Sequence, residues 1–378
     1  MEVKFFKQGL INKSYKDTIK EAIDELILGI SPIANGRYSI QFENQFGDYV
    51  GSKYCSFLSN GLDALSISLK AIGIEEGDEV IVPNHTFIAT WLAVLNLRAK
   101  LVAVPVKETN LLIDEEKIEN YITKKTKCIM PVHLYGNIAN MEKINNIALK
   151  HNLFVIDDAA QAHGSEVNGK RVGSLADISC FSFYPTKNLG ALGEAGCITT
   201  NNDIFIDKIM SLRNYGRSSN DFSKSICQGT NSKGDELQAA FLIAKLSNLQ
   251  EIKEKRRNLI SIYEKYSNKN VDQKWNLINY CPGASPNLAV IKLKDFRSRD
   301  RLIKFLLNKS IQTSIHYKIP CHKQTFSRQS KFSISNKDAF QANEISNKIL
   351  SLPLSEAHSF EEIKYVIDSL NEFYSENQ

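Results

Sequence analysis

The feature that most constrains the fold is a set of short, mostly apolar runs at residues 79–82, 102–106, 128–134, 153–156 and 178–183, each followed by polar or turn-forming residues. Runs that are apolar throughout, without polar alternation, suit strands covered on both faces. Apolar residues at helical spacing occur over 16–30, 42–50, 59–72, from 86 onward and over 115–122. Strand then helix, repeated, predicts an α/β fold on a mostly parallel, doubly wound sheet. Ligands of such sheets bind beyond the carboxyl ends of the strands. The polar residues that end each run are therefore the first candidates for chemistry.

Two of these ends are unusual. Run 178–183 gives way to Pro185, Lys187 and Asn188-Leu189-Gly190, which puts Lys187 on a loop at a strand end. Run 153–156 stops at Asp157-Asp158, with Gln161 just beyond. A lone lysine near a proline is most often a solvated loop cation. A lysine, a carboxylate and an amide at neighbouring strand ends, however, meet the needs of pyridoxal phosphate (PLP). It requires an amine for attachment, an anion for its pyridinium nitrogen and a donor for its phenolic oxygen. Upstream, a strand at 54–58 runs into Ser59-Asn60-Gly61-Leu62-Asp63 and an amphipathic helix. Free amides and the dipole at that helix start suit a phosphate, although an ordinary cap by Ser59 or Asn60 explains the same residues equally well. Phe87, at the mouth of the run 79–82, can stack on a flat ring or serve as plain core.

The chain has 378 residues, 43% hydrophobic and 24% charged, enough for a large domain and a smaller one. Residues 1–248 are read as the large PLP-binding α/β domain with an N-terminal helix, and 249–378 as a small C-terminal α+β domain. The latter has strand-like 288–292 and 311–316 and helical 299–307, 339–350 and 360–373. A helical pattern over 235–267, one helix or two, bridges them. A net charge of +5, spread along the chain, argues against a nucleic-acid partner. Seven cysteines without CxxC spacing suggest reduced thiols and a cytoplasmic protein. No signal peptide or membrane span is expected. The glycines at 190, 193 and 196 are spaced GxxGxxG and precede a strand, unlike a dinucleotide site. There is no Walker A run, GxSxG elbow or HExxH, and no metal site is expected.

The motifs SNGLDAL, PNHTFIAT, PVHLYG, DDAAQAHG, FSFYPTKNLGALGEAG, LRNYG, DELQAA, IHYKIPCH and ILSLPL occur in that order. By these the chain resembles, over nearly its whole length, the DegT/DnrJ/StrS family of PLP-dependent nucleotide-sugar aminotransferases. The resemblance implies a fold type I PLP-dependent transferase (aspartate aminotransferase-like), a homodimer with shared active sites and glutamate as amino donor. It makes Lys187 the cofactor-linked lysine and Asp158 the carboxylate beneath the pyridine nitrogen. Gln161 then contacts the phenolic oxygen, Phe87 stacks on the ring, and Ser182 with the helix start Gly61-Leu62 holds the phosphate. Asn231 reaches the phosphate of the cofactor in the partner subunit.

Four positions, at three places in the chain, depart from the family pattern. Asp157 stands where glutamate is frequent, and Leu62 stands where many relatives have threonine, so it offers only its amide. Lys233-Gly234 replaces an arginine and a large apolar residue before DELQAA, and lysine cannot reproduce a guanidinium fork. Tyr38, Tyr184, His316 and Tyr317 lie in matched motifs and are sugar or nucleotide contacts, or else packing at the dimer interface.

The lysine is retained where the family's dehydratases have histidine, so amino transfer is expected. The similarity of SNGLDAL and TFIATWLAV to one branch implies amination at C-3 of a dTDP-3-keto-6-deoxyhexose, for a deoxyaminosugar of lipopolysaccharide or another glycan. The alternatives are amination at C-4 of a dTDP- or UDP-4-keto sugar and a non-catalytic PLP-fold sensor.

Overall fold

The computed structural model describes residues 1–267 and 275–375; residues 268–274 and 376–378 of the expected small domain lie outside the described residues. The main sheet takes its strands from the apolar runs: β1 (Tyr54–Leu58), β2 (Glu79–Pro83), β3 (Lys100–Val104), β4 (Thr126–Ile129) and β5 (Phe154–Asp158). A short hairpin, β6 (Glu166–Val167) and β7 (Lys170–Arg171), precedes β8 (Ile178–Ser182) and β9 (Gly196–Thr200). The sheet order is β1-β9-β8-β5-β4-β2-β3, and β12 (Phe332–Ser333) closes it on β3. Strand β9 runs antiparallel to both β1 and β8, and the other pairings are parallel.

Alternate residues of each strand enter two separate cores. Val80 and Val82 of β2 pack with the helices Gly61–Ala71, Ile88–Leu95 and Asp203–Leu212 on one face. Ile81 packs on the other face with Ile144 and Ile147 of the helix Met141–His151. Further along that second face, Phe181 of β8 joins Phe42 and Phe46 of the helix Arg37–Val50. The sheet is therefore covered on both sides, which is why its strands are apolar throughout. A second, antiparallel sheet has the order β10-β11-β13, with β10 (Trp275–Leu277), β11 (Ala289–Leu293) and β13 (Ile349–Leu352). It shares a core with the helices Leu249–Ser267, Phe296–Asn308 and Phe360–Ser375. Val3 is buried in that core and pairs with Ile311, so the start of the chain packs on the smaller sheet.

Some local expectations fail where distant residues intervene. The helix expected at 42–50 begins at Arg37, because the buried Glu236 carboxylate accepts from the amides of Gly36 (2.9 Å), Tyr38 (2.8 Å) and Ser39 (2.9 Å). That cap comes from another helix and cannot be read from the flanking residues. The helical pattern at 115–122 yields only a 3₁₀ turn at Ile118–Tyr121. The strand expected at 311–316 is reduced to isolated bridges, Val3 to Ile311 and Ser314 to Ser351. Residues 349–350, expected to end a helix, begin β13. The helix Met141–His151 and strand β12 lie outside the elements expected from the sequence. The pattern at 235–267 resolves into two helices, Glu236–Leu246 and Leu249–Ser267.

Candidate active site

A cavity of about 770 Å³ opens beyond the carboxyl ends of β2, β5 and β8. Lys187, Asp158, Gln161, Ser182, Gly61, Leu62, Phe87, Tyr184, His316 and Tyr317 all line it. Tyr38 and Asn231 do not. Tyr38 donates through its hydroxyl to Glu25 Oε2 (2.7 Å) among the N-terminal helices. Asn231 lies exposed on the irregular segment after Gly216, where Lys233 Nζ donates to its Oδ1 at 2.6 Å. Phe5, Phe6 and Asn287 line the cavity as well, beyond the residues to which the sequence points. The pairing of Val3 with Ile311 brings the two phenylalanines there, and no local motif announces it.

The lysine loop is tied down on both sides. Lys187 N donates to Tyr184 O (2.8 Å) and Ala191 N to Phe183 O (2.7 Å). The buried Asn188 side chain donates to Ser285 O (3.0 Å) and Oγ (2.9 Å) and accepts from Asn287 Nδ2 (3.1 Å). Lys245, buried on the helix Glu236–Leu246, donates to Gly190 O at 3.0 Å. Such bonds hold the Lys187 backbone while its side chain enters the cavity. Desolvation pulls the Lys187 ammonium down to about 8, and the negative charges of Asp158 and Glu194 oppose that shift. A neutral amine is thus accessible near neutral pH. Burial pushes the Asp158 carboxyl up, against hydrogen bonds from Thr90 and the Ala160 amide and the charge of Lys187.

The orientation of Gln161 follows from its partners. Its Oε1 accepts from Tyr135 N at 2.6 Å, which can only donate, so the amide nitrogen takes the other side and donates to Tyr317 Oη at 2.9 Å. One N–H of Gln161 remains for the cavity. The start of the helix Gly61–Ala71 serves both readings proposed for it. The Asn60 side chain caps Asp63 N (2.8 Å), and Ser59 Oγ ties back the Asp63 carboxylate at 2.8 Å. The first amides, those of Gly61 and Leu62, have no partner within the helix and border the cavity. A Cβ on Gly61 would lie 2.6 Å from Ser182 Cβ, so only glycine lets the helix start approach the Ser182 hydroxyl this closely. Amine, carboxylate, outward amide and a helix start with free amides beside a serine hydroxyl all border one cavity and fit PLP.

A three-layer α/β fold with a lysine of lowered pKa opposite a strand-end carboxylate defines a fold type I PLP-dependent transferase. Residues 14–371 match the DegT/DnrJ/EryC1/StrS aminotransferase family, and the chain belongs to that family. It is a PLP-dependent nucleotide-sugar aminotransferase. The dTDP-3-amino-3,6-dideoxy-alpha-D-galactopyranose transaminase of Aneurinibacillus thermoaerophilus is 41% identical over 378 residues, covering 98% of this chain and 99% of that protein. Among solved structures, DesV of S. venezuelae superposes with a TM-score of 0.92 at 31% identity and covers 98% of each chain. NtdA from Bacillus subtilis, with its cofactor PMP bound, gives a TM-score of 0.90 at 30% identity, covering 98% of this chain and 85% of that one.

Proposed function

We propose that this enzyme transfers the amino group of glutamate to the C-3 keto group of a dTDP-3-keto-6-deoxyhexose. The observation that carries the choice of C-3 is the 41% identity, over almost the full length of both proteins, to a transaminase named for a 3-amino-3,6-dideoxy sugar. PLP, when bound, supplies an electron sink for the carbon that loses its proton. Lys187 Nζ would be its point of attachment and, once free, would accept the proton from the donor's α-carbon and deliver it to the exocyclic carbon of the cofactor, the shift that amino transfer requires. Desolvation suits it to that task by lowering the ammonium to about 8, so that a neutral amine is reached far more readily than in an exposed lysine. Asp158 holds a proton on the pyridine nitrogen. The free N–H of Gln161 donates to the phenolic oxygen, and Phe87 covers one ring face. Ser182 Oγ and the amides of Gly61 and Leu62 bind the phosphate. Tyr184, His316 and Tyr317 face the sugar nucleotide.

Asn231 and Tyr38 lie outside the cavity of their own chain, and exposed Ile27, Leu28, Ile33, Phe222 and Ile226 offer apolar surface for a second copy. These features support a homodimer in which Asn231 completes the phosphate site of the partner and Tyr38 contributes to its substrate site. Residues 1–248 and 249–378 act as the large and small domains. No helix among the described residues is long and apolar enough to cross a membrane, and we place the enzyme in the cytoplasm, making an aminosugar for lipopolysaccharide or another glycan.

The test is the visible spectrum of the loaded enzyme. Glutamate should bleach the yellow absorbance, and a dTDP-3-keto-6-deoxyhexose should restore it. Restoration by a 4-keto sugar alone would move the reaction to C-4. A spectrum indifferent to glutamate would refute the donor.

A further inference from the structure

Asp158 does not stand alone. Thr90, on the first turn of the helix Ile88–Leu95, donates through Oγ1 to Asp158 Oδ2 at 2.7 Å. Thr86, one turn earlier, lies with its Oγ1 2.9 Å from Thr90 Oγ1. Thr90 is fully buried, and Thr86 and Asp158 nearly so. A carboxylate only accepts, so the Thr90 proton points at Asp158, and Thr86 must then donate to Thr90. The order of donors is fixed along the chain Thr86 → Thr90 → Asp158. A threonine within a helix commonly bonds back to the carbonyl four residues earlier. Here Thr90 meets the hydroxyl of that residue instead, and its own proton is spent on the carboxylate. The backbone of Thr86 is itself held, because Cys321 Sγ donates to Thr86 O at 3.4 Å. The other oxygen, Asp158 Oδ1, accepts from Ala160 N at 3.2 Å. One donor on each oxygen holds the carboxylate at the border of the cavity.

We propose that Thr90, oriented by Thr86, is a positioning residue that keeps Asp158 ionised and aimed at the nitrogen of the cofactor ring. The proposal rests on the assignment of Asp158 to that nitrogen. Thr90 does not line the cavity and so touches neither cofactor nor sugar; it acts through Asp158 alone. Chains of hydroxyl donors polarise one another, and a bond to a charged acceptor is worth about twice a neutral one. The same helical turn also carries Phe87, whose carbonyl accepts from Thr90 N at 3.2 Å. One turn therefore sets both the ring-covering aromatic and the carboxylate.

The test compares Thr90→Val, Thr90→Ser and Asp158→Asn as loaded enzymes, by the pH titration of the cofactor's visible absorbance and by cofactor affinity. Without the hydroxyl, Asp158 binds a proton more readily and supports less charge on the ring, which leaves the nitrogen joining Lys187 to the cofactor more basic. Thr90→Val should raise the titration midpoint by roughly one pH unit and weaken cofactor binding about tenfold. Thr90→Ser should restore both, and Asp158→Asn should exceed Thr90→Val. A Thr90→Val titration that overlays the wild type, while Asp158→Asn shifts, would overturn the relay. Failure of serine to rescue would reduce Thr90 to packing and overturn it too. An unshifted Asp158→Asn would instead overturn the assignment of Asp158 on which the proposal stands.

Discussion

Lys187→Met should make the cofactor-free protein more stable, although it abolishes catalysis. Desolvation lowers the Lys187 ammonium from its ordinary 10.5 to about 8 in the folded chain. A folded-state value below the unfolded one means that the unfolded chain binds more protons between these two pH values. The lysine's penalty is therefore complete below about pH 8 and fades as the pH rises toward 10.5. Two and a half units at 1.36 kcal/mol each set a ceiling of roughly 3 kcal/mol. The side chain opens onto the cavity, where water screens it, and the attraction to Asp158 is already contained in the net shift. Screening leaves a net gain of about 1–2 kcal/mol at pH 7. Methionine matches the length of the lysine stem, so packing changes little. Urea unfolding of cofactor-stripped wild type and variant at pH 7 and pH 10.5 provides the measurement. The variant should unfold at higher urea at pH 7, and the gap should close at pH 10.5. A variant no more stable at pH 7, or a gap that does not narrow, would refute the reasoning that burial sets the character of this amine.

Three further perturbations test other parts of the structure. Glu236→Ala strips the cap of the helix Arg37–Val50 and leaves three amides without their acceptor; denaturant unfolding should show a loss of about 3 kcal/mol, and Glu236→Gln should lose less. Gly61→Ala forces a methyl group to within 2.6 Å of Ser182 Cβ and should weaken cofactor affinity about tenfold in an equilibrium titration. Asn188→Ala cuts the lysine loop from Ser285 and Asn287; stopped-flow absorbance should show the glutamate step slowed about tenfold while cofactor still binds.

Much of the fold was legible because the strands are covered on both faces. Residues such as Val80, Ile81 and Val82 all had to be apolar, and that requirement is written locally. Lys187, Asp158 and Gln161 were legible for a related reason: each follows an apolar run and so had to lie at the same edge of the sheet. What failed was whatever depends on partners far along the chain. The true start of the helix at Arg37 needs the carboxylate of Glu236, and Phe5 and Phe6 reach the cavity only because Val3 pairs with Ile311. The pattern at 115–122 cannot separate a full helix from the 3₁₀ turn found at Ile118–Tyr121, because apolar spacing over so short a segment suits either form.

The sequence by itself determined the alternation of strand and helix, the strand-end placement of the lysine and carboxylate, and the family to which the chain belongs. It could do so because burial on both faces and turn formation are decided by neighbouring residues. The tertiary structure alone decided how those groups are charged and aimed. The lowered basicity of Lys187, the outward N–H of Gln161 enforced by Tyr135, and the threonine pair behind Asp158 each depend on desolvation or on a hydrogen bond between residues brought together only by folding. Such interactions have a direction in space, and no spacing along the chain records it.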